Sequence, residues 1–241
     1  MEQLLISTLG FTESHVIRAL HRYSIGSGDR VIMVSSDRTS GVLKAYQSAV
    51  ATATTIGVRH DDIELLIVDP SGPLSVARDV LGRVEALNER PRRVIIGLGG
   101  GLRVLVVGTF IAGLLLARSS LNVRAYIASE AGTGDESELD YSVLEAVLGL
   151  GDPELKYLTA ILRLSGGGRE PTPDDVASEL NVSRKTALNS LARLKELGLA
   201  SQAGRSGGLK LTEAGELSVI MARLSEKMSH NDPGAGSSSG S

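Results

Sequence analysis

The sequence predicts an α/β domain built on a parallel sheet, followed by a smaller helical domain that carries a β-hairpin. Three observations support this prediction. Short apolar segments alternate with amphipathic segments through the first half, glycine-rich turns follow several of the apolar segments, and the last third has closely spaced helices and one pair of short strands. The chain has 241 residues, and two domains are a fair expectation for that length.

Five apolar segments of the first half are predicted strands, and the segments between them are predicted helices. Near-continuous apolar strands that alternate with helices are typical of a parallel sheet covered on both faces, a Rossmann-like arrangement. The helices carry apolar residues at spacings of three and four. The predicted strands are Leu4–Ser7, Val31–Val34, Leu65–Val68, Val94–Ile96 and Val123–Ile127, and the predicted helices are Thr12–Tyr23, Gly41–Ile56, Leu74–Asn88 and Leu102–Ala117.

Composition restricts the class of protein. The chain has no cysteine, which excludes disulfides and thiolate metal sites, and its net charge of −3 does not by itself indicate nucleic-acid binding. The segment Val104–Ala117 is apolar all round, but its roughly 14 residues fall short of the about 20 that a membrane span needs. No secretory signal is visible at the amino end. We therefore expect a soluble, cytoplasmic protein that makes no contact with membranes.

Ligands of parallel sheets bind in the crevice at the carboxyl ends of the strands, so the turns that follow the predicted strands hold the candidate ligand-binding residues. Thr12 is also predicted to cap the first helix. The candidates are Leu9, Gly10, Phe11 and Thr12 after the first strand, Ser35, Asp37 and Arg38 after the second, and Gly97, Gly99, Gly100, Gly101 and Arg103 after the fourth.

The glycine run after the fourth strand is the most informative feature of this half. Successive glycines let backbone N–H groups converge in front of a helix N-terminus, and Arg103 would add a charged donor for phosphate. The alternative is a tight turn that lets the helix pack closely on the sheet. The phosphate-binding P-loop motif is absent, and the turn after the first strand contains one glycine where the dinucleotide fingerprint needs three. NAD binding is therefore disfavoured, although Asp37 keeps it open.

The last third has the order of helices and strands of a winged helix-turn-helix. Thr172 and Pro173 begin one predicted helix, and Ser183 caps the next, which runs from Arg184 to Leu197 and ends at Gly198. A hairpin over 199–212 and a last amphipathic helix that begins near Thr212 follow. The residues predicted to face inward are Val176, Ala177 and Leu180 on the first helix and Ala187, Leu188, Leu191 and Leu194 on the second.

The face of the second helix opposite these apolar residues carries cations and amides, as a recognition helix requires. The hairpin adds a basic tip. The unit resembles the MarR-like winged helices of prokaryotic regulators, which implies binding to double-stranded DNA. Contacts with protein or RNA are the alternatives. The candidate DNA-binding residues are Ser183, Arg184, Lys185, Thr186, Asn189, Arg193, Arg205 and Lys210.

The predicted domain limits follow from these patterns. Residues 1–131 form the Rossmann-like domain, and 132–152 form a linker with a short helix near 139–148. Residues 153–228 form the winged helix. The glycine- and serine-rich residues 229–241 are a predicted disordered tail.

Two motifs of the first domain resemble a known family. Leu9-Gly10-Phe11 with Arg18, combined with Gly99-Gly100-Gly101 and Arg103, resembles the CRISPR-associated Rossmann fold (CARF) domain. Together with the winged helix, the chain resembles archaeal CARF transcriptional regulators of CRISPR loci. The resemblance implies a homodimer that binds a cyclic oligoadenylate, commonly cyclic tetra-adenylate, as effector at a two-fold site, with no other cofactor. Arg18 either contacts this ligand or ties its helix to neighbouring elements.

We predict neither a metal site nor a conventional catalytic centre. The four histidines lack metal-ligand spacing, and the hydrolase motifs H-E-x-x-H and G-x-S-x-G are absent. The expectation is a regulator without enzymatic activity. Two alternatives stay open. Some CARF domains cleave their own ligand, so a slow ring nuclease is one of them, and an NAD-sensing redox regulator is the other.

Overall fold

The computed structural model describes residues 1–128, 136–166, 169–203 and 208–230. The chain divides into two compact units, residues 1–142 and 143–241. The first unit contains β1 (Gln3–Thr8), α1 (Ser14–Arg22), β2 (Arg30–Ser35), α2 (Ser40–Thr55), a 3-10 helix (His60–Asp62), β3 (Ile63–Ile67), α3 (Pro73–Glu85), β4 (Arg93–Leu98), α4 (Arg103–Arg118), β5 (Asn122–Ala128) and β6 (Glu136–Asp140). Helix α5 (Tyr141–Gly149) follows, and then come α6 (Asp152–Ser165), α7 (Pro173–Glu179), α8 (Arg184–Glu196), β7 (Ala200–Ala203), β8 (Gly208–Leu211) and α9 (Glu213–His230).

The first unit is the predicted α/β domain. Its sheet has the order β3-β2-β1-β4-β5-β6, and β1 to β5 are parallel. Alternate residues of each strand belong to two separate apolar cores. Leu4 and Ile6 pack with residues of α3 and α4, whereas Leu5 packs with residues of α1 and α2. The period of two in the strands therefore supplies an apolar face to each helical layer, which confirms the Rossmann-like prediction.

Strand β6 differs from the prediction, which placed its residues in a linker. It pairs antiparallel with β5, from Arg124 opposite Asp140 to Ala128 opposite Glu136. Its carboxylates meet cations rather than an apolar core. Glu136 lies 3.3 Å from Arg22, and Glu138 lies 2.7 Å from the same guanidinium. An edge strand held in this way lacks the apolar pattern by which the other strands were predicted. The predicted linker residues 132–135 lie outside the described residues.

Helix α1 begins later than predicted. Its N-cap is Glu13, which makes no side-chain capping bond, and Thr12 lies exposed before it. The first intrahelical bond runs from the Ile17 N–H to the Glu13 carbonyl, so Thr12 is one position too early to cap. The Glu13 carboxylate instead accepts a hydrogen bond from Ser48 on α2, at 2.9 Å. The predicted Thr12 cap is therefore wrong.

The second unit is a winged helix-turn-helix. Thr172 and Asp175 form a reciprocal capping box at the start of α7, and Ser183 caps α8 by accepting from the Thr186 N–H at 3.1 Å. Gly198 ends α8 in the left-handed region, with φ of +72°. Strands β7 and β8 pair antiparallel as the predicted hairpin.

The core of this unit contains Ala187, Leu191 and Leu194 from α8, as predicted, but Leu188 is 44% exposed. A spacing of four and then three selects 187, 191 and 194. Leu188 lies about 100° further round the helix, at the border of the buried face. The prediction that Leu188 faces inward is therefore wrong.

Helix α4 contains the apolar segment Val104–Ala117. It has 16 residues and packs Leu105, Ala112 and Leu116 into the core of the first unit. Among the helices of the residues that the structure describes, none combines the length and the hydropathy of a membrane span.

Candidate functional site

Two glycine loops meet at the carboxyl edge of the sheet, although about 90 residues separate them in the chain. Strands β1 and β4 are neighbours, and the loops that follow them touch. A Cβ atom added to Gly10 would lie 2.6 Å from the Gly101 nitrogen. Gly101 has φ of +85°, and a Cβ there would lie 2.9 Å from the Leu9 carbonyl oxygen. Both positions therefore need glycine, one for space and one also for backbone conformation.

This contact lies where the order of the strands reverses. The chain passes from β1 to β2 and β3 on one side of the sheet, and β4 and β5 lie on the other side of β1. At such a switch point the connections leave the sheet in opposite directions, which opens a crevice at the carboxyl ends of the strands. The sheet topology thus predicts a ligand crevice at Gly10 and Gly101.

A cavity of about 190 Å³ lies at this position. Two apolar side chains of its wall are largely exposed, Phe11 at 75% and Leu102 at 53%. The Phe11 ring lies against α2, where a Cβ on Gly41 would be 2.7 Å from a ring carbon. The wall consists of Leu9, Gly10, Phe11, Ser35, Ser36, Asp37, Val42, Gly101, Leu102 and Leu105.

Six predicted ligand residues line this cavity, and four lining residues were missed. The predicted ones are Leu9, Gly10, Phe11, Ser35, Asp37 and Gly101. The missed ones are Ser36, Val42, Leu102 and Leu105. Ser36 and Leu102 lie within or beside the predicted turns, so taking every residue of those turns as a candidate would have identified them. Val42 and Leu105 belong to the first turns of α2 and α4, and both have apolar side chains that the sequence assigns to the core.

The other seven predicted ligand residues are not part of the cavity wall. Gly97 is buried in β4, where a Cβ would meet the Ser7 side chain. Arg18 projects from α1 with its Nε atom 3.6 Å from Glu136, an ion pair that ties α1 to β6. Those that lie outside the wall are Gly97, Gly99, Gly100, Arg18, Thr12, Arg38 and Arg103, of which the last three are exposed.

The two sides of the cavity differ in electrostatics. On the glycine side lie backbone amides and the first turn of α4, which carry partial positive charge. On the other side, the Asp37 carboxylate accepts hydrogen bonds from the Thr39 N–H at 3.0 Å and from the Ser36 hydroxyl at 3.3 Å. The Thr39 backbone bond lowers the pKa of Asp37, so the group is ionised at neutral pH. The glycine side suits an anion, and the Asp37 side suits an amine or hydroxyl donor.

A buried histidine on α1 packs against the glycine loop. His15 on α1 is 2% exposed, and its Nε2 atom lies 2.6 Å from the Thr8 carbonyl oxygen. Burial lowers the pKa of His15 below its ordinary 6.5. The spacing of the histidines in the sequence speaks only against a metal site, and a single helical histidine has no local pattern that predicts its contact with the glycine loop. In the part of the chain that the structure describes, no group of three His, Cys, Asp or Glu side chains could hold a metal ion.

The second candidate surface is the exposed face of α8. Lys185 and Asn189 are exposed there, as is Lys210 on β8. Ser183 and Thr186 are occupied with each other at the helix N-terminus, where their hydroxyl oxygens are 2.8 Å apart. The predicted DNA-binding residue Arg205 lies outside the described residues.

Two of the predicted cations on α8 form ion pairs. Arg184 lies 2.9 Å from Asp174 of α7, and Arg193 lies 3.3 Å from Glu154 of α6. The Arg184 pair is exposed on both sides and is therefore easily exchanged for a phosphate. The Glu154 carboxylate is only 20% exposed, so Arg193 is held more firmly against α6.

The solved structures that resemble this chain include a MarR family protein and a transcriptional regulator, both of low sequence identity to it. A MarR family protein from Bacillus stearothermophilus has 14% identity and a TM-score of 0.30, over 39% of this chain and 69% of that one. The M. tuberculosis transcriptional regulator MosR has 20% identity and a TM-score of 0.30, over 40% of this chain and 70% of that one. The assignment of the winged helix rests on the geometry of the second unit described above.

Sequence comparison identifies a family and a relative. The chain is 27% identical, over 216 residues, to Csa3 of Saccharolobus solfataricus, a CRISPR locus-related protein whose name describes it as a candidate DNA-binding protein. The match covers 88% of this chain and 85% of the relative. The model of the Csa3 CRISPR-associated Rossmann-like domain matches residues 3–140, more than half of the chain, and its match ends with β6. The chain therefore belongs to the Csa3 family of proteins with a CRISPR-associated Rossmann-like domain.

Proposed function

We propose that the protein is a transcriptional regulator of CRISPR loci whose affinity for promoter DNA depends on a cyclic oligoadenylate. The observation that carries the proposal is the contact between the Gly10 and Gly101 loops at the switch point of the sheet, beside the Asp37 cavity. DNA binding rests on the exposed basic face of α8, and the relative's name supports it.

The chemistry of the cavity suits a nucleotide ring. The phosphodiesters would lie on the glycine side, at the backbone amides and the first turn of α4. The bases or ribose hydroxyls would lie toward Asp37, because an ionised carboxylate accepts hydrogen bonds from amines and hydroxyls and repels phosphate. A homodimer would present two such cavities about a two-fold axis, which matches a ring of identical nucleotides such as cyclic tetra-adenylate.

Calorimetric titration of the protein with cyclic tetra-adenylate tests the ligand. We expect saturable binding at one ring per two chains. Linear tetra-adenylate is the control, since it carries the same bases without the ring symmetry. No heat and no thermal shift with the cyclic ligand would contradict the proposal. Chromatography of the ligand after incubation also reports cleavage, which would add ring-nuclease activity to the binding function.

Regulation requires that the ligand bind two conformations of the protein unequally. The test is fluorescence anisotropy of a promoter fragment from the protein's own CRISPR locus, titrated with and without the ring. A change in Kd of about 5- to 150-fold is typical of such coupling. An unchanged Kd at saturating ring would contradict ligand control and leave two separate binding activities.

A further inference from the structure

The imidazole of His15 packs directly against the glycine loop. A Cβ on Gly99 would lie 2.7 Å from the His15 Cβ, and a Cβ on Gly100 would collide with the ring itself. The loop can therefore take its position only because residues 99 and 100 are glycines whose backbone packs directly against the His15 side chain. The Gly100 N–H also points to the Thr8 hydroxyl, at 3.4 Å. The backbone of β1, the ring and the loop form one packed assembly.

The hydrogen bond of His15 determines where its proton lies. The Thr8 carbonyl can only accept, so the Nε2 atom at 2.6 Å carries the proton in the neutral ring. The Nδ1 atom then holds a lone pair. A Cβ built on Gly100 would meet the Cε1 atom of the ring first, with Nε2 at 3.0 Å and Nδ1 at 3.2 Å, so both ring nitrogens lie close to the loop. A second proton on this ring would therefore be added next to the proposed phosphate position.

We propose that His15 positions the glycine loop for phosphate and takes up a proton when the phosphate binds. This inference rests on the proposed function, because it places an anion on the Gly99–Gly101 loop. The anion would lie one backbone thickness above the ring, and the burial of His15 keeps solvent from screening the two charges. A proton from solvent then adds to Nδ1, while Nε2 keeps its bond to Thr8.

Two charged side chains act on the ring in the unliganded protein. Burial is the largest influence on the pKa of His15 and lowers it, and the bond to the Thr8 carbonyl raises it. Of the charged side chains, Arg18 on the same helix lowers this pKa and Glu13 at the N-cap raises it. The other neighbours are the Thr8 carbonyl on β1 and the Gly99–Gly100 backbone of the loop after β4. A phosphate would be a second negative charge beside Glu13 and would favour the imidazolium.

The expected pH dependence has a defined sign. Ligand binding raises the pKa of His15, so affinity increases as the pH falls through the pKa of the bound form. It levels off below the pKa of the free form, which lies under 6.5, and it is constant above the bound value. Each unit by which binding raises the pKa corresponds to about a tenfold gain in affinity.

The experiment is calorimetry of cyclic tetra-adenylate at pH 6 and pH 8, in two buffers with different ionisation enthalpies. Buffers without phosphate are needed, because phosphate competes for the loop. We expect uptake of up to one proton per chain at pH 6 and close to none at pH 8. Ring binding without proton uptake at pH 6 would overturn this inference and leave the proposed function intact.

Variants separate a positioning role from general packing. In His15→Gln the amide can still donate to Thr8 but cannot titrate, so we expect binding at pH 8 and loss of the proton uptake at pH 6. His21→Gln is the control, since His21 lies on the same helix and is exposed. Its proton uptake should equal that of the wild type. Proton uptake by His15→Gln equal to the wild type would overturn the inference.

Sulfate serves as a second probe of the loop, because it carries no base and does not change its own protonation in this range. Sulfate binding with proton uptake at pH 6, together with no binding of the ring, would support the role of His15 and contradict the proposed effector. Absence of binding by both the ring and sulfate would overturn both proposals.

Discussion

The two candidate sites of this protein differ in the kind of atoms that form them: backbone atoms at the sheet edge and side chains on α8. At the sheet edge, the Gly10 and Gly101 loops are packed backbone to backbone, and a single added methyl group would meet a main-chain atom. On α8, the candidates are exposed side chains on a helix whose opposite face holds the core. The first site therefore depends on the shape of the backbone, and the second depends on the charge of side chains that can move.

This difference determines what a substitution can reveal. In the loops, a change that alters ligand binding also alters packing, so stability and affinity fall together. On α8, a surface substitution changes the stability of the fold by only a few tenths of a kcal/mol, so an effect on DNA affinity reports contact. Four predictions examine this contrast, beginning with the largest expected effect.

The substitution Gly10→Ala should give the largest effect. The new Cβ would lie 2.6 Å from the Gly101 nitrogen, so the two loops must separate. We expect a loss of about 1–3 kcal/mol in the free energy of unfolding and loss of ring binding. Urea denaturation followed by circular dichroism and calorimetry measure the two quantities.

The matched control is Gly82→Ala on α3, where an added Cβ has no neighbour within 4 Å. Because alanine restricts the unfolded chain more than glycine does, this variant should be about 0.4–1 kcal/mol more stable and should bind the ring normally. Unchanged ring affinity in Gly10→Ala would show that the contact between the loops is not part of the ligand site.

The substitution Ser183→Ala should destabilise the second unit by about 1 kcal/mol, because it removes the acceptor for the Thr186 N–H. Chemical denaturation measures this loss. Ser183→Asp, which keeps a capping oxygen, should retain most of the stability. If Ser183→Ala unfolds like the wild type, the N-terminus of α8 is satisfied by other means and the cap is dispensable.

The substitution Lys185→Ala should leave stability unchanged and weaken DNA binding about fivefold at 0.15 M salt, if the lysine contacts one phosphate. The slope of log Kd against log salt concentration should fall by about one. Anisotropy titrations at several salt concentrations measure both. The control Lys44→Ala removes the same charge from an exposed position on α2 and should leave the slope unchanged.

The smallest effect is expected for Asp175→Asn. The Thr172 N–H and hydroxyl both donate to Asp175 at 2.7 Å and lower its pKa from 3.8. A lowered pKa in the folded state gives stability that is present above pH 3.8 and is lost as the pH falls through the folded-state value. Melting temperatures of variant and wild type should differ at pH 6, and the difference should shrink as the pH falls below 3.8. A constant difference across this range would contradict the role of the carboxylate charge.

The features that the sequence predicted well depend on near neighbours or on topology. The caps Thr172 and Ser183 act within three residues, so the pattern S/T-x-x is sufficient to find them. The placement of the Gly10 turn and the Gly99–Gly101 run at one edge of the sheet followed from parallel strands whose carboxyl ends share that edge, and it required no knowledge of side-chain contacts.

The features that the sequence missed depend on distant partners. Strand β6 is stabilised by Arg22 on α1 and by β5, and its own residues are acidic. The contact of His15 with the loop after β4 joins residues that are far apart in the sequence, so no local pattern predicts it. Leu188 and Thr12 were misjudged by one position, which is the usual error where a helix begins or where its buried face ends.

Strand β6 also decides where the chain leaves the first unit. Strand β5 runs toward the glycine loops, and β6 returns antiparallel, so Asp140 lies opposite Arg124 near the beginning of β5. The five residues of β6 span about 17 Å at roughly 3.4 Å per residue. The exit point is thus a full strand length away from the ligand edge. Three connections lead from the edge that carries the glycine loops to this exit point: strand β6 itself, the arginines of α1 that hold it, and helix α4, whose Phe110 carbonyl accepts a hydrogen bond from the Tyr141 hydroxyl at 3.1 Å. A rearrangement confined to the loops would move none of them and would not reach the segment that follows.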